Sequence, residues 1–295
     1  TVSPEPSALV GPTVAEVIVE EKSAQLSLPA EAIGSVNGHV DQTGSDELAA
    51  PRRDETADLR DPQALVYLKC FGGFTVWAGD RQIEPVGEEG GVYKAWELLA
   101  LLAAHPDGGL ARERVIDAMW PDVVDIASGQ RRAKAAVKRL RDVLMLYAPQ
   151  LPRKAIIWGR DGQCALDPQF ISSDVHTFRT LCHAATHLPP QEAVTALRQA
   201  VALYQGSLLA GRQVPYYAWL HDRSETGLTL REQYREAARD ARKHLARLYY
   251  QERQIDQAIA EYKTLLRGEP TLEEVVRGLF RCYHRLGDLT ALLRE

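Results

Sequence analysis

Cysteine is scarce in this sequence. Cys70, Cys164, Cys182 and Cys282 are spread over 295 residues with no CxxC pair. That spacing argues against a disulfide scaffold or a four-thiolate zinc site, and it fits a reducing compartment, so a cytoplasmic location is expected. Long apolar runs are also missing. No stretch approaches the roughly 18 residues that a membrane span needs, and no basic-then-apolar leader opens the chain, so no membrane contact is expected of these residues. GxxxxGK(S/T), GxSxG and HExxH are absent, which leaves nucleotide hydrolysis and catalysis in general without a foothold; no catalytic residue and no cofactor is assigned. His183 and His187 stand one helical turn apart beside Cys182, with His176 about two turns earlier. Without a converging carboxylate or further thiol they read as exposed helix residues, and no metal site is assigned.

What is present is unevenly charged. The net charge of −5 conceals an acidic front, since residues 1–64 hold 4 basic and 12 acidic side chains. Residues 130–160 hold nine Lys or Arg against a single acid, Asp142. A concentrated basic element of this kind is the footprint of a surface that meets phosphate. Residues 1–63 are rich in Pro, Ser, Ala, Glu and Asp and read as an acidic disordered linker, with a strand at Val17–Val19 as the alternative. The first residue is Thr and the last ones continue a helical pattern, so the sequence is expected to be part of a longer polypeptide.

Residues 64–168 form the next unit. Short β-prone runs, Leu65–Phe71, Phe74–Trp77 and Arg81–Ile83, are separated by Gly72-Gly73 and Gly79-Asp80, which predicts a small antiparallel sheet. Beyond the glycine-rich break at Gly87–Gly91, helical spacing of Ala95, Leu98, Leu99 and Leu102 predicts a first helix ending before Pro106. Ala111–Trp120 reads as a second helix, stopped by Pro121, and a third opens near Ser128 and reaches about Tyr147. Lys154–Trp158 and Gln163–Leu166, joined by Gly159–Gly162, read as a hairpin. From Asp174 the pattern is helical almost throughout, so residues 169–295 are assigned to a separate all-α domain, incomplete at its C-terminal end. Leu245, Arg247, Tyr249 and Ile255 recur 34 residues later as Leu279, Arg281, Tyr283 and Leu289. That is the tetratricopeptide period.

The third helix carries the functional signal. On a helical wheel Ala133, Ala136, Val137, Leu140, Val143, Leu144 and Tyr147 form the core stripe. Arg131, Ala135, Lys138 and Asp142 lie opposite, with Lys134 and Arg141 on one shoulder and Arg132 and Arg139 on the other. Such a face suits the major groove, where Arg or Lys meets guanine while its neighbours hold phosphates, although a solvated basic helix shows the same pattern. Its position as the third of three helices before a hairpin, whose tip carries Arg160, matches the order of a winged helix-turn-helix.

At this point the chain resembles a known family. The residues that carry the resemblance are Leu68–Val76 with Gly79–Arg81, Lys94–Leu102, Arg112–Pro121, Ala136–Leu144, Asp174–Phe178, Ala196–Gly206, Trp219 and Glu269-Pro270. Residues 65 to about 167 resemble an OmpR-type winged helix-turn-helix. With the helical part they resemble the SARP-type regulators, whose helical module is the bacterial transcriptional activator domain. The fold class implied is mainly α: a winged helix-turn-helix (α+β) followed by an all-α tetratricopeptide-like domain. The resemblance implies a DNA-binding transcription regulator, an activator, with the third helix as recognition helix and the hairpin as wing. The loop Asp122–Ser128 would touch RNA polymerase, and the helical repeats would hold another protein partner. Cys164-Ala165 departs from the aromatic that relatives often place in the second wing strand, which implies a less well anchored hairpin.

Candidate DNA contacts follow. Arg131, Lys134 and Lys138 are assigned to the major groove of double-stranded DNA, and Arg132, Arg139, Arg141 and Arg160 to phosphate or the minor groove. Lys94 and Arg112, read as lying at helix starts, are assigned further phosphate contacts. Binding as a homodimer is compatible with this arrangement. The rival is a protein-interaction scaffold, or a sensor segment of a larger protein, whose winged helix does not bind DNA.

Overall fold

The computed structural model describes residues 63–84, 90–106, 108–159, 162–211, 217–268 and 272–287. The acidic segment, Arg160, Tyr216, Glu269-Pro270 and Leu289 lie outside them. Three N-terminal strands, β1 (Val66–Lys69), β2 (Thr75–Ala78) and β3 (Arg81–Ile83), precede α1 (Gly90–Ala104), β4 (Leu110–Ala111), α2 (Arg112–Met119) and α3 (Ile126–Tyr147). Then come β5 (Ile156–Trp158), β6 (Gln163–Leu166) and β7 (Ile171–Ser173), and the helices α4 (Asp174–Ala184), α5 (Pro190–Leu203), α6 (Leu230–Gln251), α7 (Ile255–Gly268) and α8 (Glu273–Leu286). This is a winged helix-turn-helix followed by an all-α array.

Two strands were not legible. β7 pairs in parallel with β1, Tyr67 opposite Ser172, completing a four-stranded sheet in the order β3-β2-β1-β7. Ala111, which helical periodicity claims for the second helix, instead joins Leu110 in β4, where the two pair with Gln163 and Cys164 of β6. The wing is therefore a three-stranded sheet, β4-β6-β5. Cys164 sits at its centre and is completely buried in the core, so a small thiol fills the place where an aromatic was expected. Also, α1 begins at Gly90, inside the glycine-rich stretch read as a break.

Packing does not respect the expected boundary between residues 168 and 169. One apolar core runs from β1 and α1–α3 into α4, the end of α5, Trp219, Leu220 and the first turns of α6. At its centre the Phe71 ring meets those of Phe178, Tyr204 and Tyr234 edge-on at 5.5, 5.0 and 5.6 Å, a geometry that suits the ring quadrupoles. The Tyr234 hydroxyl donates to the Ala104 carbonyl at the end of α1 (2.9 Å). A second core joins α5 to α8. There the 34-residue repeat is realised in burial: Leu245 and Leu279 are buried, as are Tyr249 and Tyr283, while Arg247 and Arg281 are exposed. Gly278 belongs to this packing, because a Cβ there would lie 2.5 Å from Cζ of Tyr262.

The junction of sheet and helices is held by one carboxylate. Asp174 is the first residue of α4, follows the N-cap Ser173, and is buried. It accepts the main-chain N–H of Cys70 (2.9 Å), Phe71 (2.8 Å) and Val175 (2.8 Å). These donors, together with the positive end of the α4 dipole, satisfy a charge that would otherwise be costly to bury. Burial nevertheless dominates and pushes its pKa from 3.8 up to about 6. Because the folded pKa lies above the unfolded one, the contribution is fullest below about pH 4 and is lost as the pH rises through 6, amounting to about 3 kcal/mol. Urea unfolding at pH 4.5 and 7.5 checks this. The native chain should lose stability over that interval relative to Asp174→Asn, whose own profile lacks this component even though it is less stable overall.

Candidate nucleic-acid interface

Local chemistry sets the angle between α2 and α3. Asp125 caps α3, its carboxylate accepting the N–H of Ala127 (3.2 Å) and Ser128 (3.0 Å) and the Ser128 hydroxyl (2.6 Å). The hydrogen bonds from Ser128 are the main reason the Asp125 pKa falls below its ordinary value. One residue later Gly129 lets the helices touch, since a Cβ there would stand 2.6 Å from Cγ2 of Ile116 on α2. The C-terminal end of α2 is held by Lys94, whose ammonium donates to the Met119 carbonyl (2.8 Å), pairs with Glu97 (2.7 Å) and lies over the Trp120 ring at 5.9 Å. A cation at a helix C-terminus is where the dipole favours it.

Ala133, Ala136, Val137, Leu140 and Leu144 of α3 are buried against the core, and the predicted Val143 and Tyr147 are half-buried beside them. Arg131, Arg132, Lys134, Ala135, Lys138, Arg139 and Asp142 are exposed. The face is therefore open along a helix of 22 residues, about 33 Å long. Arg131 is partly anchored: it donates to the Ser128 hydroxyl (2.7 Å) and lies 3.7 Å from Asp125. Five cations thus share one accessible surface.

The remaining assigned residues are employed differently. Lys94 stands a full turn inside α1 rather than at its start, and its charge is directed at α2. Arg112 does begin α2, but its guanidinium donates to the Gly159 carbonyl (2.5 Å) and lies over the Trp158 ring at 5.3 Å, while its N–H donates to Gly162. Arg141 donates to the Ile156 carbonyl (2.6 Å). Burial first, then the neighbouring charge of Arg153, lowers its pKa. Arg112 and Arg141 bind the wing to α2 and α3 from either side, a role that charge counting alone does not reveal. Arg153 and Lys154, exposed at the wing root, extend the cationic region and were not among the assigned contacts.

The α2–α3 loop exposes apolar side chains: Val124 is 98% and Ile126 73% accessible. Trp219 is buried, packed into the core shared by the winged and helical parts. His183 and His187 stand with ring centroids 5.3 Å apart, and among the described residues no group of three or more His, Cys, Asp or Glu is placed to hold a metal ion. No described helix is long and apolar enough to cross a membrane.

Residues 173–294 match the family model of the bacterial transcriptional activator domain. That stretch follows a winged helix-turn-helix, an order similar to that of the SARP-type regulators. Among solved structures, Mycobacterium tuberculosis EmbR in complex with a low-affinity phosphopeptide is similar, with a TM-score of 0.55 and 16% identity over 78% of this chain. The chain spans 57% of that protein's length. No curated protein matches. The match of the activator domain begins at Ser173, one residue before the buried Asp174, so the family boundary falls inside the shared core.

Two substitutions check the geometry. Gly129→Leu should force α2 from α3 and lower stability by about 1–3 kcal/mol, read by urea unfolding. Arg112→Ala should change Trp158 fluorescence and speed amide exchange in β5 and β6 without altering α5–α8; unchanged exchange in the wing would contradict the clamp.

Proposed function

We propose that the chain is a DNA-binding transcription regulator, acting as an activator. The observation that carries this reading is the exposure of Arg131, Arg132, Lys134, Lys138 and Arg139 on a helix whose other face is fixed in the core. Arg131, Lys134 and Lys138 face the major groove of a duplex, where guanine O6 and N7 accept from Arg or Lys. Arg132 and Arg139 hold phosphates, and Arg160, which lies outside the described residues, is proposed as a further phosphate contact. Lys94, Arg112 and Arg141 serve chiefly as positioning residues for α2, α3 and the wing, and any phosphate contact they make is secondary to that. The exposed Val124 and Ile126 offer an apolar contact to RNA polymerase, and the activator domain holds a further protein partner. A homodimer on direct-repeat DNA in the cytoplasm is the working form, and no reaction is assigned.

A scaffold reading has one observation in its favour: residues 65–167 hold 14 basic and 13 acidic side chains, a nearly neutral balance. Salt dependence separates the two. Phosphate contacts release counterions, so affinity for duplex DNA should fall steeply and linearly in log–log form as salt rises, whereas apolar partner binding would not. In a binding assay with selected duplex sequences, Arg131→Ala should cost about 1–3 kcal/mol at one base position. Arg132→Ala, at a proposed phosphate contact, should weaken binding to every sequence and reduce the salt slope. Undiminished binding by the variant carrying both Arg131→Ala and Lys138→Ala would refute the assignment of α3.

A further inference from the structure

The winged and helical parts do not meet flush. Between them lies a cleft of about 490 Å³, within the range of sites that take small organic molecules. One wall is α2 with the end of α1 and β4; the other is α4, the turn after Trp219 and the start of α6. This cleft has no part in the cationic face of α3.

Its lining has a definite chemistry. Arg114 comes from α2, Arg179 from α4 and Arg223 from the turn before α6. All three are exposed. Arg114 makes no hydrogen bond or ion pair among the described residues, while Arg223 spends one donor on the Gly227 carbonyl (2.6 Å). Against these three guanidinium charges stand two carboxylates, Asp117 and Asp222, leaving one net positive charge. His105 adds none. Its Nδ1 lies 2.9 Å from the Leu101 carbonyl, which can only accept, so Nδ1 carries the proton and Nε2 is an acceptor. Burial, with the charges of Arg114 and Arg179, lowers its pKa and keeps the ring neutral. Leu110, Leu230 and Trp219 supply an apolar floor.

We infer that this cleft binds a small organic anion with an acidic head group, an apolar or aromatic body and at least one hydrogen-bond donor. The guanidiniums take the head group, since charge-assisted bonds from arginine are the strongest available there. Asp117, Asp222 or His105 Nε2 accepts from the donor. The ligand touches α2 and β4 on one side and α4 and α6 on the other, so it bridges the helices that position α3 and the activator domain.

Anilinonaphthalene sulfonate has the required sulfonate, aromatic body and N–H, and it tests the inference in the full chain by fluorescence titration. Saturable binding of one equivalent is expected, with tryptophan-to-dye energy transfer that is reduced in Trp219→Phe. Arg114→Glu should weaken binding by about tenfold or more, and so should removal of the sulfonate in uncharged phenylnaphthylamine. Arg198→Ala, an exposed arginine of α5 outside the cleft, should change nothing. Should Arg114→Glu not fold, Arg114→Gln removes the charge at similar size and is read the same way. Absence of saturable binding, equal affinity for the uncharged compound, or full affinity in the Arg114 variants would overturn the site.

Discussion

The winged and helical parts of this molecule are locked together at the end of β1. There the strand stops, its N–H groups at Cys70 and Phe71 have no strand partner, and the carboxylate of Asp174 takes them both while opening α4. The Phe71 ring continues the same junction into the cluster of Phe178, Tyr204 and Tyr234. A main-chain lock backed by an aromatic cluster resists both sliding and rotation, because neither can proceed without orphaning a buried charge. The activator domain is thereby packed as a continuation of the winged fold, not as a bead on a linker. The segment after α5 adds to the lock: the Leu209 N–H donates to Cys70, and Arg231 donates to the carbonyls of Leu208 and Leu209.

The same economy of placement separates two kinds of cation. Charges that approach a carbonyl or a ring, as in Lys94, Arg112 and Arg141, hold α2, α3 and the wing in register. Charges on the opposite arc of α3 remain exposed to water. A recognition surface needs both, since side chains can read a groove only from a helix whose own position is fixed.

Much of this was legible in the sequence, and the failures have physical causes. The core stripe of α3 and its exposed arc follow from a single helical period, and Ala133 to Leu144 landed on the buried side as spaced. Asp174–Phe178 was visible as a family mark, but its purpose was not: a carboxylate accepting main-chain N–H from 104 residues away leaves no periodic trace. β7 was missed because three residues pairing in parallel with a distant strand carry no alternation of their own, and β4 because two residues are too few to interrupt a helical pattern. The roles of Arg112 and Arg141 were hidden for the same reason as the shared core. Counting charge along a chain cannot tell which guanidinium meets a carbonyl across the fold. Gly129 was equally silent, its meaning lying in Ile116 on the facing helix.

The claim that matters most is that the outward arc of α3 enters a DNA duplex. A photoreactive phenylalanine analogue at position 135, the small residue in the middle of that arc, tests it directly. Irradiation with duplex DNA should attach position 135 to bases in the major groove, while the same group at position 280 on α8 should yield no DNA adduct. Adducts from position 280 alone, or from neither position under conditions where the chain is folded, would contradict the account.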